Sequence, residues 1–320
     1  MFHFNNGLAK IILPTPFPVG DVNVYLIKGD LLTLVDVGPK TDEAWMALNR
    51  QLKELHFSLN DIEQVILTHH HPDHAGLLDY LPKAIPVYGH SLNNPWLSHH
   101  DSFFVKHEAF FVRLFREFGV AEQFLPYIGK LRGIFKYFSN RSLDGFLTEG
   151  DRPNGLDEWQ VIETPGHAQS HIGLFREKDG SYLGGDQLLA QISPNPLLEP
   201  PLQGEKERIK PQLQLNDSLR KLAQLPISCV YAGHGEDITE VQAFIDKRLD
   251  RQHERAMQVK NWLLHEELTV FEICLRLFPT LFQREPLMTL SESIAQLDYL
   301  LSLKEINSIE DGIPFRYKAK

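Results

Sequence analysis

The sequence predicts an α/β fold, because strand-like apolar runs alternate with amphipathic helical patterns along most of the chain. Its composition is that of an ordinary globular protein, with 320 residues, 42% hydrophobic and 23% charged. In addition, four short motifs rich in histidine, aspartate and glycine each follow a predicted strand. The length allows one large domain or two unequal domains.

The first elements are a hairpin and a helix that should cover a sheet. Gly29 favours a turn between two β-branched runs, and Thr41 is a typical helix N-cap before apolar residues at helical spacing. We predict strands over 23–27 and 31–36, a helix after Thr41, a strand over 65–68, a helix from Ala75 and a strand over 86–88.

Residues 91–145 interrupt this alternation with an aromatic segment. Nine of the 20 phenylalanines fall between Phe103 and Phe138, at spacings of three or four, which predicts an inserted pair of amphipathic helices turning near Gly119. We expect these stripes to form a core rather than a binding pocket, and whether the insertion packs as a lid over the predicted site is left open. The histidines of the segment are expected on a solvated face: His99, His100 and His107.

The second half resumes with strands and ends in helices. We predict strands over 159–163, 172–175, 182–183 and 229–232, a proline-dense loop over 193–211, a long helix from Glu240 to about His265, helices after Thr269 and through 294–301, and a hairpin of 306–309 with 313–317. The tail from about Leu268 is expected to be a winged-helix-like unit that folds separately.

Charge and cysteine content exclude several classes of protein. The net charge is −10, which disfavours a nucleic-acid partner, and Cys229 and Cys274 are too far apart for a thiolate zinc site. Neither a signal peptide nor an apolar run long enough to span a membrane is visible. We therefore expect a cytoplasmic protein without a membrane partner.

A histidine cluster after the strand at 65–68 is the strongest chemical signal. In an extended segment alternate residues face one side, so His69 and His71 can bind one ion while His70 points away into packing or solvent. After the turn at Pro72, Asp73 and His74 can face a second ion. Three further motifs each place one ligand-capable residue beside glycine after a strand: His167 in T-P-G-H, Asp186 in G-G-D and His234 in G-H-G.

The ordered set H-x-H-x-D-H, T-P-G-H, G-G-D and G-H-G resembles the metallo-β-lactamase superfamily over roughly residues 8–240. The resemblance implies a four-layered αβ/βα sandwich with a dinuclear metal site at one sheet edge. We expect a catalytic domain over 1–240 with a helical insertion over about 91–145, then a connecting helix and a small winged-helix-like domain over 241–320. That tail is similar to a subgroup that includes an animal mitochondrial endoribonuclease and many glyoxalase II-like bacterial hydrolases.

The resemblance also implies roles for individual residues. One ion would be bound by His69, His71 and His167, the other by Asp73, His74 and His234, with Asp186 as the bridge. Asp73 and Asp186 are also the predicted catalytic residues. Asp36 would orient the ligand loop through hydrogen bonds, and His171 either supports the ligands or is an ordinary sheet-edge histidine.

Five imidazoles and two carboxylates suit zinc best in our prediction, with iron or manganese as alternatives. Two such ions can share a hydroxide as the nucleophile. We expect hydrolysis of a small ester, thioester or lactone; the alternative is a nuclease or phosphodiesterase. Residues 245–320 hold 11 basic and 12 acidic residues, which disfavours nucleic acid. A homo-oligomer is left open.

Overall fold

The computed structural model describes residues 4–98, 100–129, 131–202, 204–205 and 207–320, so His99 lies outside the described residues. The first sheet has six strands in chain order. They are β1 (Leu8–Leu13), β2 (Val22–Lys28), β3 (Leu32–Val35), β4 (Gln64–Leu67), β5 (Val87–Gly89) and β6 (Gly145–Phe146). β1, β2 and β3 pair antiparallel, whereas β3 to β6 run parallel.

The second sheet has four strands in the order β10, β9, β8, β7. They are β7 (Trp159–Glu163), β8 (Ile172–Arg176), β9 (Ser181–Gly185) and β10 (Cys229–Ala232). β10 and β9 are parallel, and β8 is antiparallel to both β9 and β7. β7, β9 and β10 therefore all end at the same edge of this sheet.

Helices surround the two sheets and form the end of the chain. They are α1 (Asp42–Glu54), α2 (Pro72–Ala75), α3 (Asn94–Leu97), α4 (Asp101–Glu117), α5 (Pro126–Gly129), α6 (Leu131–Ile134), α7 (Pro211–Leu222), α8 (Val241–Leu263), α9 (Val270–Leu277) and α10 (Pro286–Ser302). A terminal hairpin consists of β11 (Ile306–Ile309) and β12 (Arg316–Ala319). In the part of the chain that is described, no helix has the length and apolar composition needed to cross a bilayer.

Three hydrophobic clusters confirm the predicted αβ/βα sandwich. Side chains along β2 alternate, so that Val24 packs toward α1 while Tyr25 faces the second sheet. Between the sheets, residues such as Ile66 and Val161 share a cluster. On the outer face of the second sheet, Val230 packs with residues of α7 and α8. The layers are therefore helix, sheet, sheet and helix.

Local signals predicted several elements correctly. Thr41 is the N-cap of α1, and its Oγ1 accepts a hydrogen bond from the backbone N–H of Ala44 at 3.2 Å. Thr269 and Glu272 form the capping box that begins α9. α8, α10 and the first hairpin also lie where their patterns place them. β12 begins only after Pro314, which has no amide hydrogen for a ladder.

Other elements differ from the prediction. The helix expected from Ala75 is instead the short α2, followed by a 3-10 turn over Gly76–Tyr80. β1 and α7 were not predicted, because their sequences show no clean alternation or cap. The second insertion helix is broken into short pieces that include α5 and α6, since Pro126 and two glycines interrupt it.

The insertion and the tail share one hydrophobic core. Phe111 and Phe115 of α4 belong to the same buried cluster as Ile294 and Leu297 of α10. The tail therefore packs against α4, and its independent folding stays a prediction. The stripe forms a core as predicted, whereas the winged-helix-like description of α9, α10 and the last hairpin stays a prediction.

The aromatic segment also contradicts the expected solvation of one histidine. His107 is half-buried and packs on Phe103 and Trp96, and burial lowers its pKa to about 4. His100 is exposed, as expected. The difference arises because His107 faces the rest of the insertion, which helical spacing alone does not reveal.

The shared core yields a stability prediction. Phe115→Ala should lower the free energy of unfolding by about 3–5 kcal/mol, because the side chain is 1% exposed and its removal leaves a cavity. Val105→Ala is the matched control, since Val105 lies on the same helix and is 61% exposed. Chemical denaturation measures both. Equal effects of the two substitutions would contradict the shared core.

Candidate metal centre

The candidate residues meet at the edge where strands of both sheets end. Hydrogen bonds join the sheets there, with the Ile172 N–H donating to the Thr68 carbonyl at 2.8 Å and the Asn23 N–H donating to the Gly233 carbonyl at 2.7 Å. The four motifs follow β4, β7, β9 and β10. Residues that are distant in sequence are therefore brought to one place.

A first group consists of three histidines. Ligand atoms of His69, His71 and His167 all lie within 4.8 Å of one another. His69 Nε2 and His71 Nδ1 are 2.9 Å apart, as expected if alternate residues face the same side. All three imidazoles can thus approach one ion.

A second group combines a carboxylate with two histidines. Ligand atoms of Asp73, His74 and His234 also lie within 4.8 Å of one another. His234 Nε2 is 3.3 Å from Asp73 Oδ2. This group adjoins the first, because the rings of His69 and His74 are 4.2 Å apart between their centres.

Asp186 lies between the two groups. Its Oδ1 is 3.3 Å from His74 Nε2, and its Oδ2 is 3.5 Å from His167 Nε2 and 3.6 Å from His234 Nε2. The structure therefore brings together all seven residues that the sequence marked as ligand candidates.

Backbone carbonyls orient two of the histidines. His167 Nδ1 donates to the Asn195 carbonyl at 3.0 Å, and His234 Nδ1 donates to the Asp21 carbonyl at 2.8 Å. With the proton on Nδ1, each Nε2 presents a lone pair to the centre. The sequence does not indicate Asn195 and Asp21, because they act through their main chain and no residue-type signal reveals them.

Asp36 connects the ligand loop to the first sheet. Its Oδ1 accepts the Thr68 backbone N–H at 2.8 Å, while its Oδ2 accepts the Thr68 hydroxyl at 2.7 Å and His74 Nδ1 at 2.8 Å. Since the hydroxyl proton points at Asp36, Thr68 Oγ1 can accept from His69 Nδ1, 3.0 Å away. Asp36 thus orients two imidazoles, one of them through Thr68.

His171 holds the backbone of Asp186 through a hydrogen bond. Its Nε2 accepts the Asp186 backbone N–H at 3.1 Å, and its Nδ1 lies 2.8 Å from Thr164 Oγ1. Burial lowers the pKa of His171 to about 3, so it remains a neutral acceptor. Of the two interpretations left open by the sequence, this geometry favours support of the ligands.

Burial keeps one histidine neutral, and nearby carboxylates make the site favourable for cations. Burial, together with the neighbouring imidazoles, lowers the pKa of His69 well below its ordinary value, so the ring is neutral as a ligand must be. Burial also lowers the pKa of His74, but Asp186 and Asp36 raise it more, and the net pKa is well above the ordinary value. The carboxylates therefore create a field that favours positive charge.

The donor atoms fit divalent metal ions. In the part of the chain described, Nε2 of His74, His167 and His234 and Oδ1 of Asp186 are buried without a hydrogen-bond partner. Buried polar atoms rarely lack partners, and a shared cation supplies one. A Cβ at Gly233 would lie 2.3 Å from Asp186 Oδ1, so glycine keeps this space open. Nitrogen and carboxylate donors suit zinc, iron or manganese.

His70 faces away from the centre, as its position in the alternation predicts. Its ring is buried, stacks on Trp96 of α3 at 4.2 Å, and its Nδ1 lies 2.8 Å from Ser170 Oγ. It therefore packs against the insertion and is not solvated. This contact joins the insertion to the ligand loop.

Comparison with known proteins agrees with this geometry. Residues 17–234 match the metallo-β-lactamase superfamily. The chain is 46% identical, over 97% of both sequences, to the probable metallo-hydrolase YqjP of Bacillus subtilis. It is 25% identical to the β-lactamase-like protein 2 homolog of Caenorhabditis elegans, covering 81% of this chain and 72% of that protein.

A solved structure resembles the whole chain. The metallo-β-lactamase family protein TTHA1429 from Thermus thermophilus superposes with a TM-score of 0.81 at 29% identity, covering 99% of both chains. A metal-dependent hydrolase is the class that fold and site define. The chain belongs to the metallo-β-lactamase superfamily, whose members use divalent metal ions.

The Asp36 contacts yield a prediction for metal affinity. Asp36→Asn should weaken metal binding about 10–100-fold, because an amide cannot accept all three hydrogen bonds. Asn tolerates the left-handed backbone at this position, where φ is 60°, so the fold should persist. Competition with a chelator measures the affinity, and Asp42→Asn on the exposed start of α1 is the control. Unchanged affinity would refute this role.

Proposed function

We propose that the protein hydrolyses a small ester, thioester or lactone with two divalent ions, and that zinc is the native metal, with iron or manganese as alternatives. The observation that supports this most is the convergence of seven nitrogen and carboxylate side chains on one centre, six of them buried and His71 half-buried. Such a donor set suits hydrolytic metals and requires no serine or cysteine nucleophile.

Each ligand has a proposed position at the centre. His69, His71 and His167 would bind one ion, Asp73, His74 and His234 the other, and Asp186 both. When bound, the two ions supply Lewis acidity that lowers the pKa of water and polarises the substrate carbonyl. Asp73 and Asp186 are the proposed catalytic residues, since their carboxylates face the centre and can accept hydrogen bonds from the attacking water.

A cavity beside His234 supports a small, partly apolar substrate. Its volume is about 290 Å³, and its apolar walls come from Ile12, Val19, Leu189 and Ile192. No lysine or arginine is among the described residues that line it. A nuclease needs cations along a groove, so the cavity disfavours the phosphodiesterase alternative and a nucleic-acid partner.

The chain organisation is part of the proposal. Residues 1–240 would form the catalytic domain, with the insertion over about 91–145, and residues 241–320 would form a connecting helix and a small domain packed on it. All seven proposed ligands lie within 1–240. We propose a cytoplasmic location, as the sequence predicts.

The ligand set leads to a prediction for metal content. The purified, metal-replete protein should contain about two transition-metal ions per chain. Asp186→Ala should lower the occupancy of both positions, because this carboxylate lies between the two groups, whereas Asp217→Ala, on the exposed surface of α7, should leave it unchanged. Elemental analysis measures the content. No more than one ion in the unaltered protein would refute the dinuclear centre.

The proposed substrate class is tested with a panel of esters, thioesters, lactones, phosphodiesters and RNA. We expect metal-dependent hydrolysis of at least one carbonyl substrate. His71→Ala should abolish it, while His100→Ala, which removes an exposed imidazole, should not. Rapid RNA or phosphodiester cleavage without any carbonyl activity would instead favour the alternative function.

A further inference from the structure

A second cavity lies between the catalytic domain and the helices at the end of the chain. Its volume is about 240 Å³, and α7, α8, α10 and the loop after Asp186 form its walls. Gln191 lines both this cavity and the one beside His234, so the two lie on either side of the same loop. None of the seven proposed metal ligands lines the second cavity.

Positive charge is concentrated in this cavity. Arg248, Arg251 and Arg255 contribute one face of α8, and Glu292 is the single acidic residue among the described residues of the lining. A chain with a net charge of −10 has no general excess of cations, so this cluster is local. Three arginines around one cavity repel one another unless an anion is nearby.

The three arginines differ in their hydrogen-bond and ion-pair partners. Arg248 donates to the carbonyls of Leu189 and Ile192, both at 2.8 Å, and so fastens the loop. Arg255 pairs with Glu292 at 2.5 Å. Within the described residues, the side chain of Arg251 has no ion pair or hydrogen bond, and it is exposed. Arg251 is therefore the cation available to a ligand.

A buried amide gives independent evidence for a ligand. Gln187 is completely buried and lines the cavity, yet neither its Nε2 nor its Oε1 has a hydrogen-bond partner among the described residues. Nε2 of Gln252, which lines the cavity from α8, also lacks a hydrogen-bond partner there. Leaving such buried groups without partners is unfavourable. A polar ligand in the cavity would satisfy them.

We propose that this cavity binds the oxyanion of a small polar molecule, with its carboxylate or phosphate group at Arg251 and its uncharged polar groups at Gln187 and Gln252. The planar guanidinium can donate two hydrogen bonds to either oxyanion. The amides supply both donors and acceptors to the rest of the molecule. This site is separate from the metal centre and does not depend on the proposed hydrolase activity.

Binding is tested on the metal-loaded protein by calorimetry and thermal unfolding, with sodium sulfate and sodium succinate as probes and sodium chloride at equal ionic strength as the reference. We expect saturable binding of at least one probe and a higher midpoint of unfolding in its presence. Tighter binding of sulfate assigns the site to phosphate-like groups, and tighter binding of succinate to carboxylates.

Two variants test the residues that carry the proposal. Arg251→Gln should weaken probe binding about tenfold, because one charge-assisted contact is lost. Gln187→Met should also weaken it, yet leave the unliganded protein at least as stable, since no internal hydrogen bond is removed. Arg220→Gln is the matched control, because it removes the same charge from an exposed position on α7 outside the cavity.

A variant of the metal centre separates the two sites. His71→Ala should leave probe binding unchanged if the anion occupies the cavity lined by Arg248, Arg251 and Arg255, which we call the arginine cavity. The proposal is overturned if neither probe binds saturably, or if binding survives both Arg251→Gln and Gln187→Met. Loss of binding in His71→Ala but not in Arg251→Gln would assign the anion to the metal centre and overturn it as well.

Discussion

Gathering five imidazoles and two carboxylates at one place, all of them buried except the half-buried His71, is the constraint on which the rest of the structure depends. Each ring nitrogen that faces the centre must present a lone pair, so its opposite nitrogen needs an acceptor on the outside. The Asp36 carboxylate is the acceptor for His74, and it orients the Thr68 hydroxyl that accepts from His69. Main-chain carbonyls are the acceptors for His167 and His234. Four of the candidate ligands are thus held by a second layer of hydrogen bonds.

The two-sheet architecture makes that second layer available. The ligand motifs follow strands of both sheets, and the outer acceptors come from loops that are far away in sequence, such as those containing Asp21 and Asn195. Main-chain hydrogen bonds between the sheets close this edge. The candidate ligands of both sheets therefore meet at an edge where the sheets are joined by hydrogen bonds.

The insertion and the terminal helices pack against each other and against the loops beside the candidate site. α4 buries its phenylalanines against α10, while Trp96 stacks on His70 beside the ligand loop. Arg248 of α8 holds the loop that separates the two cavities, and Asn195, farther along that loop, holds His167. The tail thus has two roles in the structure, since it covers the aromatic stripe and forms one wall of the arginine cavity.

The sequence by itself determined many of the local elements and the candidate ligand residues. Thr41, Thr269 and the alternating apolar runs predicted helices and strands because caps and periodicity act over a few residues, and H-x-H-x-D-H indicated ligands because alternate side chains share a face. Only the tertiary structure decided the broken half of the insertion, the burial of His107, the carbonyls behind His167 and His234, and the cavity at Arg251. These features depend on contacts between distant segments, which no local pattern encodes.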